Sequence, residues 1–296
     1  MHIPVLVDEV VEGLAIAAHD VVLDCTVGGA GHSAALCQRL GPLGRFIGLD
    51  KDAAALRQAA QRLTGLPCLS TLLQADFRHL DRVLDEVGVT NVSKILLDLG
   101  LSSDQLEHSG RGFSFQRDEP LLMTFRDTIA AHELTAWQIV NAWSEAELAE
   151  LIFSYGEERW ARRIARAIVR ARARQSIDTT RALVTVVVQG VRQGRRGQKM
   201  HPATRTFQAL RMAVNDELAA LREGLAKGFA RLTPGGRMAV ISFHSLEDRT
   251  VKLFFKNAQG QHNAALYTKK PIMPGARERQ ENPRSRSAKL RILVKG

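Results

Sequence analysis

"VVLDCTVGGAGHSAALCQRL", residues 21–40, decides the fold. Its first four residues are a short apolar run closing on Asp24, glycines follow at 28, 29 and 31, and apolar residues then recur at helical spacing. A strand that passes through a glycine turn into a helix is the opening half of a strand–helix–strand unit. The alternation continues downstream. "GRFIGLDKD" (44–52) reads as a second strand ending on Asp50, and "AAALRQAAQRL" (53–63) is rich in good helix formers. A strand around "CLSTLLQADF" (68–77), a helix around "LDRVLDEVG" (80–88) and a strand in "SKILLDLG" (93–100) complete the series. Strands alternating with helices predict an α/β fold with a doubly wound, parallel sheet.

After Gln105 the pattern changes. Residues 130–193 read as almost wholly helical, with period-3.6 apolar positions and no proline. Residues 201–232 read as one return helix, "TPGG" (233–236) as a turn, and "RMAVISFHSLEDR" (237–249) as a strand running into a loop. The expected organisation is a discontinuous sheet domain, 1–105 and 200–296, carrying an inserted and mostly helical domain at 106–199.

Composition narrows the class. The net charge is +10, from 41 Lys plus Arg against 31 Asp plus Glu. Much of the excess sits in "GEERWARRIARAIVRARARQ" (156–175), "VRQGRRGQK" (191–199) and the tail from Lys269 onward. Three such runs point to a polyanion partner held through phosphate neutralisation. No window is long and apolar enough for a membrane span, and the first ten residues lack the pattern of a leader peptide, so a cytoplasmic location is expected. Cys25, Cys37 and Cys68 show no C-x-x-C spacing, which fits a reducing compartment and argues against a structural zinc site; no metal is expected.

Glycines 28, 29 and 31 let the backbone approach a ligand, and Asp50 closes the next strand about 20 residues on, where a carboxylate accepts from ribose hydroxyls. That is the pattern of an adenosine cofactor. The loop reads G-G-A-G-H, without the G-x-G-x-x-G spacing of a pyrophosphate binder, which favours S-adenosylmethionine over NAD. Asp76 and Phe77 at the end of the third strand suit the adenine amine and ring. In "ILLDLGLSSDQL" (95–106), Asp98 ends the fourth strand beside the switch point where open α/β sheets place ligands.

These motifs, in this order, closely resemble the ribosomal RNA small subunit methyltransferase H family, also called MraW. The matching stretches are "HIPVL" (2–6), "DCTVGGAGHS", "GLDKD", "LLDLGLSSDQL", "RGFSF" (111–115), "YGEERWARRIARAIV" (155–169), "HPATRTFQALR" (201–211), "VISFHSLEDR" (240–249) and "NPRSRSAKLR" (282–291). The resemblance implies a Rossmann-like class I methyltransferase sheet with a helical insertion. It implies methyl transfer from S-adenosylmethionine to N4 of a cytosine in the decoding region of 16S rRNA, within the small ribosomal subunit, with a homodimer left open. The family's cofactor positions fall on Ala30, Gly31, His32, Asp50, Phe77, Asp98 and Gln105, beside Gly28 and Gly29. One segment departs: the family usually reads "DGPLDMRMD" after "RGFSF", whereas this chain reads "DEPLLMTFR" (118–126), with Leu122 for the acid and Thr124 for the arginine.

Methylating an exocyclic amine requires acceptors for its protons, and Asp98 with the Leu99 carbonyl suits that task. His244 is a candidate proton acceptor and Ser242 a candidate partner at the same strand end. "DLGL" lacks the aromatic that follows the acid in more familiar amino-methyltransferases, so the base needs its stacking face from Phe113, Phe115 or Phe243. Arg111, His201, Thr204, Arg205 and Arg249 complete the expected substrate contacts, and Arg162, Arg163, Arg166 and Arg170 recur at helical spacing as a positive stripe. Two other classes compete: a non-catalytic ribosome-assembly factor that keeps the cofactor fold, and an NAD-dependent oxidoreductase.

Overall fold

The computed structural model describes residues 4–102, 105–106, 109–127, 133–191, 201–261 and 264–296. The chain forms two compact units, Met1–Gly100 with Leu218–Gly296, and Leu101–Glu217.

The first unit is built on a seven-stranded sheet of β1 (Val21–Asp24), β2 (Arg45–Asp50), β3 (Leu69–Gln74), β4 (Val92–Asp98), β5 (Leu232–Ser242), β6 (Ala264–Leu266) and β7 (Lys289–Lys295). Their order is β3-β2-β1-β4-β5-β7-β6. The first five run parallel, and β7 lies antiparallel between β5 and β6. The expected doubly wound sheet is present. Central parallel strands are covered on both faces, which is why β4 is apolar on consecutive residues: Ile95 and Leu97 enter one core cluster, and Leu96 the other. The helices in the first stretch of this unit are α1 (Val7–Leu14), α2 (Gly31–Cys37), α3 (Ala53–Leu63) and α4 (Leu80–Glu86). The order reverses between β1 and β4, so the ends of those two strands flank the switch point.

The second unit contains α5 (Ala136–Ala142), α6 (Glu145–Gly156), α7 (Ala161–Arg172), α8 (Thr180–Val191) and α9 (Thr204–Val214). Local chemistry sets their starts: Thr135 with Gln138 and Ser144 with Glu147 form reciprocal capping boxes on α5 and α6. The basic run at 191–199 lies, apart from Val191, outside the described residues, as does His2.

Four expectations shift in detail. Residues 201–232 are not one helix: α9 ends at Val214, and α10 (Glu217–Arg231) begins after Asp216, whose φ of 47° breaks the helical path. The helical unit accordingly extends to Glu217, because α9 packs on α6 so closely that a Cβ on Gly156 would lie 2.7 Å from the Arg205 carbonyl oxygen. "TPGG" sits inside β5 as an irregularity, the register jumping from Val92↔Leu232 to Lys94↔Arg237. The expected loop after β5 is only two residues long, since α11 (Ser245–Gln261) starts at once; α12 (Ala276–Glu281) precedes β7. Among the described residues no helix is long and apolar enough to cross a membrane.

The segment that departs from the family pattern is fastened largely by backbone groups. Met123 N donates to the Arg111 carbonyl, Ala136 N to the Leu122 carbonyl and Trp137 N to the Leu121 carbonyl. Asn215 donates to the Met123 carbonyl at 2.7 Å and accepts from Phe125 N at 2.9 Å. Gly112 N donates to the buried Glu119 at 2.9 Å. Gly112 has φ +77°, and a Cβ there would stand 2.3 Å from the Pro120 carbonyl oxygen. Gly112→Ala is therefore expected to destabilise the helical unit by about 2–4 kcal/mol, from left-handed backbone strain plus overpacking, read by urea denaturation.

Candidate cofactor and catalytic site

Three strands of the sheet end on aspartates, and each carboxylate has a different job. Asp24, at the end of β1, is 1% exposed. It accepts from Thr26 N at 3.0 Å and from the Ser33 hydroxyl at 2.7 Å. Burial raises its pKa to about 6, against the lowering effect of those two donors. Asp50, at the end of β2, accepts from Gly28 N at 2.8 Å and from Asp52 N at 2.9 Å. It thereby straps the glycine loop to the sheet, while burial raises its pKa.

Asp98, at the end of β4, is different. Its backbone N–H donates to the Thr26 hydroxyl at 2.7 Å, and its Oδ2 lies 3.3 Å from His32 Nδ1. Its Oδ1 is buried and has no hydrogen-bond partner among the described residues. A buried carboxylate oxygen left bare is costly unless a ligand donor meets it.

The glycine loop is tied from below by Val27 N to the Leu49 carbonyl, and Ala30 takes the left-handed conformation just before α2. Gly29 faces open space: a Cβ there would meet nothing within 4 Å. Gly31 has another reason to be glycine, since a Cβ would come within 2.8 Å of the Pro4 ring. Phe77 packs one edge against Gly224 of α10, whose Cβ would lie 2.6 Å from its ring. Asp76 is held by Lys51 at 2.7 Å and by Arg78 N at 2.9 Å. Burial opposes its ionisation, but the Lys51 ammonium keeps the carboxyl below its usual range. The open loop at Gly29, the half-buried Asp50 carboxylate and the bare Asp98 oxygen fit an adenosine cofactor with a cationic, hydrogen-bond-donating end.

At the end of β5, Ser242 is 2% exposed and its hydroxyl faces the Lys289 carbonyl at 3.4 Å. The side chain expected to take part in catalysis is thus buried beside the Lys289 end of β7. His244 accepts from Glu247 N at 3.3 Å, and its Nε2 lies 3.2 Å from Glu247 Oε1. Glu247 Oε2 in turn accepts from Phe243 N at 2.8 Å. Glu247, missed in the sequence reading, locks the turn that carries Phe243 and His244; its place at the third position of a helix following a short loop was the available signal. Phe243 lies beside the end of β4, its ring 3.3 Å from where a Cβ on Gly100 would be. Arg249 is exposed, and Asp248 is taken by Lys289 at 2.9 Å and Arg291 at 2.7 Å.

Within the helical unit, Arg111 is buried and donates to the Phe125 carbonyl at 2.6 Å, and Phe113 stacks on Phe125 at 5.8 Å in the core. Both side chains, expected among the substrate contacts, pack against the unit's own interior. Phe115 and the exposed His201 stack at 4.6 Å with rings 22° apart, and Phe207 meets Phe115 edge-on. His201 Nδ1 accepts from Ala203 N at 3.2 Å, and Thr204 N donates to the His201 carbonyl. Arg205 donates to the Glu157 carbonyl at 2.7 Å. Gln105 belongs to this unit, its side-chain oxygen accepting from Ser102 N at 3.1 Å. On α7, Arg162, Arg163, Arg166 and Arg170 are exposed and Ala161, Ile164, Ala165 and Ile168 are buried. At 3.6 residues per turn the four arginines share about 100° of arc, opposite the buried stripe.

A doubly wound sheet with an adenosine-type loop and an acceptor at the switch point defines a Rossmann-like methyltransferase using S-adenosylmethionine. The chain belongs to the MraW methylase family, whose model matches residues 1–296. It is 46% identical to ribosomal RNA small subunit methyltransferase H of Heliobacterium modesticaldum, over 99% of this chain and 98% of that one. It is 45% identical to the enzyme of the same name from Symbiobacterium thermophilum, over 99% and 96%. The crystal structure of a Clostridium thermocellum protein assigned as an rRNA-methylase shares the fold, with TM-score 0.50 and 13% identity over 100% of both chains.

Because burial raises Asp24 from 3.8 to about 6, the stability this group contributes is complete below pH 4 and lost as pH rises through 6. The stability of the wild type relative to Asp24→Asn should fall by up to about 3 kcal/mol between pH 4 and pH 7, read from paired urea melts. A difference that grows with pH would contradict the sign.

Proposed function

We propose that the protein transfers a methyl group from S-adenosylmethionine to the exocyclic N4 of a cytidine in the decoding region of 16S rRNA. The observation that carries this reading is the buried, unpartnered Oδ1 of Asp98. The lone pair of N4 is delocalised into the cytosine ring, so the amine must pyramidalise before it can attack. A carboxylate oxygen accepting one N–H favours that geometry, and the Leu99 carbonyl at the same turn suits the second N–H. The bound cofactor supplies an electrophilic methyl carbon on a sulfonium; Gly28, Gly29, Ala30, Asp50 and Phe77 would hold its adenosine.

Phe243 answers the lack of an aromatic in "DLGL". Its ring lies beside Gly100, and Glu247 fixes its backbone, so the end of β5 offers the stacking face that β4 does not. His244, next along the turn, is the candidate to receive the proton released on transfer. A cytosine inside a stacked helix is out of reach, so the substrate is an unstacked or flipped nucleotide. The helical unit is proposed to recognise RNA. The α7 arginines would neutralise backbone phosphates, and the Phe115–His201 stack, half-buried on one side and exposed on the other, suits a neighbouring base.

The reading is tested by incubating the protein with labelled S-adenosylmethionine and small subunits that lack the modification, then digesting the RNA to nucleosides. N4-methylcytidine at a single site is expected, and label on another nucleoside or on protein would contradict it. Asp98→Ala should lower kcat by about 10²- to 10³-fold. Replacing Arg162, Arg166 and Arg170 by Gln should reduce the slope of log Kd against log salt for RNA by roughly 2 to 3 without altering cofactor affinity.

A further inference from the structure

Resting on that reading of Asp98, we propose that His32 is a positioning residue: as an imidazolium bridging the Val5 carbonyl and Asp98 Oδ2, it holds the carboxylate with Oδ1 presented to the substrate amine. The resemblance implied only that His32 touches the cofactor.

Proton counting carries the inference. His32 is 6% exposed, so water does not serve its ring. Its Nε2 lies 2.8 Å from the Val5 carbonyl oxygen, which can only accept, so Nε2 bears a hydrogen. In a neutral ring Nδ1 would then be a bare lone pair, and it faces a carboxylate oxygen at 3.3 Å. Two acceptors in that position repel, so a proton lies between them. With the proton on the ring, both nitrogens donate and Asp98 stays ionised. The groups facing His32 agree with that state: Asp24 from the end of β1 and Asp98 from the end of β4 are both acidic, and the Val5 carbonyl completes the set. Burial acts to lower the pKa of His32, but the hydrogen bond and charge of Asp98, with Val5 and Asp24, raise it on balance.

The consequence is mechanical. With Oδ2 fixed by the imidazolium and the Asp98 N–H fixed by Thr26, rotation of the carboxylate would sacrifice a charge-assisted bond, so Oδ1 keeps one direction. Loss of the proton at alkaline pH replaces that bond by repulsion and frees the carboxylate. The rate should then fall while the fold persists.

Two measurements test this. In the first, the imidazole nitrogens of labelled protein are followed by NMR without cofactor or RNA. Both His32 nitrogens should be protonated at pH 7, and in Asp98→Asn the ring should deprotonate roughly one pH unit or more lower. A neutral His32 at pH 7, or a titration unmoved by Asp98→Asn, overturns the proposal. This readout is independent of catalysis, so it can fail while rRNA methylation stands, or hold while the assigned substrate fails. In the second, kcat is measured against pH at saturating cofactor and RNA. The wild type should lose activity on the alkaline side with unit slope. His32→Gln, whose amide can donate without titrating, should retain at least a tenth of the neutral rate and lose that alkaline limb. His32→Ala should fall at least tenfold at every pH. An unchanged alkaline limb in His32→Gln, or a wild-type rate in His32→Ala, would show that His32 does not act through Asp98.

Discussion

Three carboxylates at the ends of neighbouring parallel strands, Asp24 buried and Asp50 and Asp98 half-buried, set the constraint on which the cofactor domain depends. Ionised groups in such a place need donors, and the glycine loop with the first turn of α2 supplies them: Thr26 and Ser33 serve Asp24, and Gly28 serves Asp50. The loop is shaped by the carboxylates as much as by its glycines. Asp98 alone keeps an oxygen in reserve. Leaving it unpaired costs free energy in the resting protein, and that cost is offset when a donor arrives. Stability is thus given up at the point where chemistry is needed.

Much of this was legible in the sequence. The alternation of short apolar runs with helices gave the sheet, because a central parallel strand buried on both faces cannot hide its hydrophobic run. The aspartates closing β1, β2 and β4 were visible for the opposite reason, as charges interrupting that run. His32 was visible as a residue, but its work was not. Only the fold brings α2, the end of β4 and the Val5 carbonyl together.

What was not legible depended on distant partners. The sequence does not show that the Arg111 guanidinium meets the Phe125 carbonyl, fourteen residues away. Nor does it show that β7 pairs with β5 and brings the Lys289 carbonyl within 3.4 Å of the Ser242 hydroxyl. Asp248 has Arg249 for a neighbour in sequence, yet Lys289 and Arg291 hold it from β7. The break between α9 and α10 left a fainter trace: Asn215 and Asp216 are poor interior helix residues, and Asn215 spends its amide on the segment containing Leu122 and Thr124. That segment is held largely by backbone bonds, so losing the family's acid and arginine there does not leave it unfastened.

The central claim is that Asp98 Oδ1 is the acceptor for the reacting amine. A crystal structure with S-adenosylhomocysteine and cytidine bound tests it most directly. The predicted result puts N4 within hydrogen-bond distance of Oδ1, with Oδ2 still on His32. Oδ1 bonded to the cofactor alone, with N4 turned toward other groups, would contradict it.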